Sequence, residues 1–358
     1  MTEKAMGSGK RCLSPQLTRR QSLIALSAAA TGFALEPAFS QGATTVRVGY
    51  VPVIGASSLY VIDRAGWARE AGLDLKLVRF DSGPAAIGAL ASGTLDMLAI
   101  GVAPVAVARS RGLDVKVVAA AGSGGSGFVA SEALSAAFAG GVDPAPAFAA
   151  FRKQQGRKAK LATLPPGGVP TVALHHWLWK VGNVSRDDVE IVAMGIDAVQ
   201  QAVLAGSVDG ATVLEPSASI VMQRNPKLKM IVTARDMFKN IPGVVIAATS
   251  AFEKAAPQAL AKMVELSARA TDLIRAKPQE AAGYVEAVLG GGLVDAATMQ
   301  KALKSPAVDF IFDIHAIEAP TKQLLAYQVE LGDFQTAPST EGLFDATWSD
   351  KVLAAKSR

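Results

Sequence analysis

The chain has 358 residues, 50% apolar and 19% charged, which suits two domains with a large core and excludes a disordered protein. Its net charge is +5, but Lys4, Lys10, Arg11, Arg19 and Arg20 against Glu3 and Glu36 place +3 of it in residues 1–40. The remaining +2 is too little to drive binding to nucleic acid.

Residues 1–40 read as a cleaved export signal: Arg19-Arg20, an uncharged run from Ser22 to Leu35, then Ala38-Phe39-Ser40 ahead of Gln41. The run is shorter than the roughly 20 residues that span a bilayer, which favours removal over a retained anchor. Thr18-Arg19-Arg20-Gln21 resembles the start of a twin-arginine motif, from which Ser22 and Ile24 depart; the folded-export and general routes both stay open. Cys12 is the only cysteine, so the mature chain has neither disulfide nor thiol chemistry.

From Val46 the chain alternates strands and helices. Val46–Val51 is a strand and Pro52–Ser58 a turn, with Ser57 or Ser58 capping a helix that runs to Ala71 and stops at Gly72. Leu73–Phe80 is a second strand, Ser82-Gly83-Pro84 starts a short helix, and the apolar run Leu95–Val102 is a strand buried on both faces. A fourth strand, Val115–Ala121, leads into Gly122-Ser123-Gly124-Gly125-Ser126-Gly127. That segment matches G-x-G-x-x-G, yet Phe128-Val129-Ala130 continues as strand instead of opening a helix, so a flexible hinge or cleft loop is the better reading than a dinucleotide site.

The pattern then repeats. Residues 131–158 form a surface helix and loop; after them Leu161–Leu164 is a strand, Pro165–Val169 a turn, and Pro170 an early helical residue. Leu174, Trp177, Leu178 and Val181 share one helix face and are expected in the core. Strands follow at Val189–Met194, Val208–Leu214 and Lys229–Thr233, and Gly243–Ser250 carries the chain back to the first lobe. Gly93 and Gly206, and Asp96 and Asp209, lie 113 positions apart, so one α/β half is written twice. The expected fold is α/β, two lobes each with a mainly parallel sheet flanked by helices, joined by a two-stranded hinge. Lobe 1 takes 44–122 and 243–358, lobe 2 takes 127–235, and the helical stretches Pro257–Ala276, Pro278–Leu289 and Ala316–Leu331 sit around lobe 1.

Ligands of open α/β sheets lie beyond the carboxyl ends of the strands. The sequence puts glycines and small hydroxyls there in both lobes: Gly55, Ser57, Ser58, Gly101 and Ser123 in the first, Gly167, Gly168 and Thr171 in the second. Backbone N–H groups at such turns suit one anionic head, and ordinary turns and caps are the alternative for each residue. Glu215 either accepts from an amine-bearing ligand or pins the hinge. His175 is one turn beyond Thr171, and its neighbour His176 points about 100° away on a helix, a poor pair for one metal; no metal site or cofactor is expected.

Ser58–Leu77, Ala202–Pro216 and Glu265–Ala276 resemble the periplasmic substrate-binding proteins of nitrate/sulfonate/taurine-type ABC transporters. That resemblance implies a clamshell, a monomer in the periplasm, which takes a small solute and delivers it to a membrane permease. The Ala/Pro-rich segment 133–159 departs from the compact link usual there. A clamshell that reports to a membrane receptor is a second reading. An enzyme of thiamine-pyrimidine synthesis on the same fold is a third, although the cysteine-rich motif of those enzymes has no counterpart here.

Overall fold

Asp96 and Asp209 show why the sequence repeats. In the structure, a computed structural model that describes residues 42–290 and 294–357, the Asp96 carboxylate accepts the Arg47 backbone N–H at 2.8 Å and the Asp209 carboxylate accepts that of Lys160 at 2.8 Å. Each aspartate also returns its own N–H to the same residue, at 2.9 and 2.7 Å, and its carbonyl accepts from Thr249 or Ser131. Thr249 and Ser131 in turn cap the helices that follow them. Arg47 forks onto Asp96, and Arg157 onto Asp209. Charge-assisted bonds of this kind are worth about 1.5–3 kcal/mol each. The knot ties the amino ends of two strands to a third.

Those strands are β1 (Thr44–Tyr50), β2 (Leu73–Arg79), β3 (Met97–Gly101), β4 (Val115–Ala120), β5 (Ser123–Gly124), β6 (Ser126–Ala130), β7 (Ala159–Thr163), β8 (Val189–Ala193), β9 (Gly210–Leu214), β10 (Lys229–Thr233), β11 (Val244–Thr249) and β12 (Val308–Asp309). The first sheet has the order β2-β1-β3-β11-β4 and the second β10-β6-β9-β7-β8. The second order, read backwards, is the first with each strand replaced by its repeat. In each sheet the strand that has crossed from the other half, β11 or β6, is the antiparallel one. The remaining strands run parallel, as alternating strands and helices require. From Ala43 on, the chain is one contact unit.

Packing follows the apolar pattern with three departures. The first helix ends at Arg64 because Gly66 takes φ 80°, and Trp67–Glu70 forms a separate turn. Neither Ser57 nor Ser58 caps it; Ala56 is the cap residue, and the Ser57 hydroxyl donates to the Ile54 carbonyl at 2.7 Å. Leu174, Trp177 and Leu178 are buried as their spacing predicts, but Val181 is 51% exposed. The cause is a π-helical segment, His176–Val181, in which the Gly182 N–H reaches back to Trp177 at 2.8 Å. One extra residue per turn rotates Val181 off the apolar stripe.

Segment 133–159 forms the helices Glu132–Ala137 and Pro144–Gln155 around a buried Phe148 and Phe151. The late helices Pro257–Ala276 and Pro278–Leu289 pack their buried faces into the core that contains the first sheet. The helix His315–Glu330 does not stay with that core: Ile317 and Leu325 belong to it, while Leu324 and Tyr327 join the second, around Phe128, Phe148 and Trp177.

Candidate functional site

Two extended segments carry the chain between the sheets, side by side. Ser123 bridges Pro242, its hydroxyl donates to the Ile241 carbonyl at 3.0 Å, and the N–H groups of Ala121 and Gly122 share the Val244 carbonyl. Strand β12 lies along β5 as a third layer, with Asp309 paired to Arg235. The glycines of 122–127 are there for close backbone approach. A Cβ on Gly124, at φ +69°, would meet the Ala307 carbonyl at 2.3 Å, and one on Gly243 would meet the Gly122 carbonyl at 2.5 Å. The G-x-G-x-x-G match is therefore explained by the crossover itself.

Gly55 belongs to the same nest: its Cβ would stand 2.7 Å from Val244, and Gly122 packs on its backbone. Ile54, just before it, donates its N–H to the Glu215 carbonyl at 2.8 Å, and Glu215 donates its own to Gly125 at 2.9 Å. So Gly55, Ser123 and Glu215, far apart in sequence, meet at the crossover. The side chain of Glu215 serves another space. Only 2% exposed, it accepts from the Ser219 N–H at 3.1 Å and lines a cavity of about 450 Å³ with Ser219, Met222 and Lys304. Burial pushes its carboxyl above the ordinary carboxylate range. Ser58, 2% exposed, has a hydroxyl with no hydrogen-bond partner among the described residues.

The second turn is separate. Gly101 faces it, with a Cβ position 3.4 Å from the Val169 side chain, and Gly167 at φ +84° is open. The N–H groups of Thr171 and Val172 both return to the Gly168 carbonyl at 3.2 Å, and the Thr171 hydroxyl donates to the Leu164 carbonyl at 2.6 Å. Thr171 lines a chamber of about 370 Å³ with Thr163, His175, Trp179 and Arg186. Burial lowers the His175 pKa, so its imidazole is neutral at pH 7. His176 turns away to the Met237 carbonyl at 2.7 Å. Neither of these two cavities is lined by both turns, Gly55–Ser58 and Gly167–Thr171, and among the described residues no group of three or more His, Cys, Asp or Glu is placed to hold a metal ion.

What sequence reasoning missed is the contact across the rims of the two sheets. Arg79 pairs with Asp197 at 2.5 Å, and the Ile196 N–H donates to the Asp81 carbonyl at 3.2 Å. Next to this latch a cavity of about 630 Å³ opens between Pro84, Ile87, Pro104 and Arg111 on one side and Pro166 and Gly167 on the other, with Asp333 and Phe334 at its edge. That volume lies within the range of small-molecule sites. The latch partners are 118 positions apart and follow no local pattern.

Two α/β halves that exchange one strand each, joined by paired crossing segments and touching at their strand carboxyl ends, define the two-lobed periplasmic-binding-protein fold. The chain belongs to the NMT1-like family, which it matches over residues 40–289. Structural neighbours carry the same fold. The periplasmic nitrate-binding protein NrtA from Synechocystis PCC 6803 superposes with a TM-score of 0.73 at 15% identity, over 87% of this chain and 89% of that one. A zinc-bound ligand-binding component of an ABC-type import system from Staphylococcus aureus gives 0.72 at 12%, over 86% and 99%. The aliphatic sulphonate binding protein SsuA from Escherichia coli gives 0.64 at 15%, over 87% and 99%. In sequence, the chain is 23% identical over 220 residues to the nitrate import ATP-binding protein NrtC of Synechococcus elongatus, covering 60% of this chain and 33% of that protein. The chain thus spans about a third of the length of this curated relative.

Proposed function

We propose that the protein is the solute-binding component of an ABC importer: it closes on a small anion between its two lobes and delivers it to a membrane permease. The observation that carries this reading is the polar seam between the strand ends, flanked by a cavity built from both sides. Opening the lobes breaks the Ile196–Asp81 backbone bond and frees an N–H donor at the mouth. Nitrate, a sulfonate or a carboxylate can replace the lost carbonyl acceptor, between a rim that carries Gly55, Ser57, Ser58, Gly101 and Ser123 and one that carries Gly167, Gly168 and Thr171. The Glu215 carboxylate faces elsewhere and does not repel such a ligand. Family membership and the binding-protein neighbours support a transport role over catalysis. The chain acts as a monomer in the periplasm, exported by the signal in residues 1–40, which lie outside the described residues.

The test is a thermal-shift screen of the mature protein with nitrate, methanesulfonate and taurine beside neutral amides. An anion at 100 times its Kd adds about 2.7 kcal/mol of stability, and small-angle scattering of the same sample gives a smaller radius of gyration than the ligand-free protein. A flat screen, or stabilisation by the neutral amides alone, defeats the reading. Mass spectrometry of periplasmic material checks export by an N-terminus near Gln41.

A further inference from the structure

The second half carries a chamber beneath its turn, and the two halves also differ in their aromatic packing. In the first half Tyr50 and Tyr60 pack edge to face, with ring centroids 5.4 Å apart, and the Tyr60 hydroxyl lies 3.2 Å from the Val51 and Val53 carbonyls. Moving 113 positions along replaces Tyr50 by Thr163 and Tyr60 by Ala173. Thr163 lines the chamber of about 370 Å³, while Ala173 is buried in the core. Thr171 takes over the Tyr60 role and holds the Leu164 carbonyl at 2.6 Å, the position equivalent to Val51.

The walls of this chamber are chemically specific. The Arg186 guanidinium sits 4.7 Å from the centroid of the Trp179 ring and has neither a hydrogen bond nor an ion pair with any described residue. The His175 ring lies 6.4 Å from Trp179, and neither of its nitrogens is hydrogen-bonded to a described residue. Both rings are carried on the helix that changes to π geometry at His176, and π segments are frequent at functional sites. Val189 and Ile191 supply an apolar floor.

We propose that this chamber binds a planar carboxylate about the size of benzoate, with the acid group on the Arg186 fork and the ring against Trp179 and the Val189–Ile191 floor. A guanidinium without a counter-ion meets a carboxylate through two parallel N–H bonds, a geometry that an ammonium cannot reproduce. The site is lined by residues between Thr163 and Ala193 alone. It shares Thr171 with the interlobe rim, and Arg186, which does not line the interlobe cavity, is the residue that separates the two readings.

The experiment is isothermal calorimetry of the full mature chain with sodium benzoate, repeated with benzamide, which has the same shape and no charge. Benzoate should bind the wild type, benzamide at least tenfold more weakly. Arg186→Gln, at an exposed position, should fold normally by circular dichroism and lose at least tenfold in benzoate affinity, and Arg186→Lys should recover only part of it. Absence of benzoate binding, equal binding of benzamide, or unchanged affinity in Arg186→Gln would each overturn the proposal. Anions from the thermal-shift screen that stabilise Arg186→Gln as well as the wild type belong to the interlobe site, so the two readings fail separately.

Discussion

The two halves agree at the amino ends of their strands and diverge at the carboxyl ends. Both aspartate knots share the same backbone bonds, with the guanidinium fork supplied by Arg47 itself in one and by Arg157 in the other. At the opposite rim Val102 and Glu215 occupy equivalent positions; each donates its N–H to a crossing segment, to Gly243 at 3.0 Å and to Gly125 at 2.9 Å, yet one side chain is a buried valine and the other a buried carboxylate. The backbone role has been kept and the side chain left free to change. Tyr60 and Ala173, both buried, make the same point in size: a ring in one half is a methyl group in the other.

The largest expected effect comes from removing a ring of the buried aromatic pair. Tyr60 is fully buried, and Tyr60→Ala should cost about 3–5 kcal/mol in urea denaturation. A loss under 1 kcal/mol would mean that the Tyr50–Tyr60 pair does not set the difference between the halves. Next come the knots. Asp96→Ala and Asp209→Ala should each cost about 2–3 kcal/mol, since each strands a backbone N–H and an arginine. Equal losses support the equivalence; a large loss in one alone breaks it.

Gly243→Ala forces a Cβ to within 2.5 Å of a carbonyl and should lower stability by about 1–3 kcal/mol. Gly101→Ala, facing Val169 at 3.4 Å, should be nearly neutral.

Glu215 gives a test in pH. Its carboxyl is raised by burial, so the folded state holds that proton to higher pH than the unfolded chain does. The resulting stability is present below the unfolded pKa and is lost as pH rises through the folded one. Wild-type stability measured relative to Glu215→Gln should therefore fall as pH rises above the ordinary carboxylate value of about 4. A difference that does not change with pH would remove the buried-carboxylate account.

The smallest effect belongs to the latch. Arg79 and Asp197 are largely exposed, and Arg79→Ala should change stability by only about 0.2–1 kcal/mol. The ligand-free radius of gyration should nonetheless increase. No change there would show that the pair does not hold the rims together.

Much of this architecture is legible in the residues. Glycine and proline punctuation and the buried run before Gly101 place the strands, and the doubled Gly-x-x-Asp segment announces two similar halves. Val181 escapes because a π turn changes the period on which the helix reading rests. The glycines at 122–127 are ambiguous in sequence, since close backbone approach to a phosphate and to another strand demands the same residue. Only the carbonyl facing each missing Cβ decides between them. Arg79 and Asp197 leave no trace, being joined by folding alone. The lost aromatic pair is legible: laying Thr163 and Ala173 over Tyr50 and Tyr60 shows it, a comparison of the repeats by size instead of by motif.

The distance between the aspartate knots and the rims has a consequence for tolerance to change. Five residues of β3 or β9 span about 17 Å, farther than the range over which substitutions couple strongly. Changes of ligand preference at the rim should therefore leave the folding energy of the knots intact, and the cost of several rim substitutions should be close to the sum of their separate costs. The strand works as a spacer that separates what holds the protein together from what it can be altered to recognise.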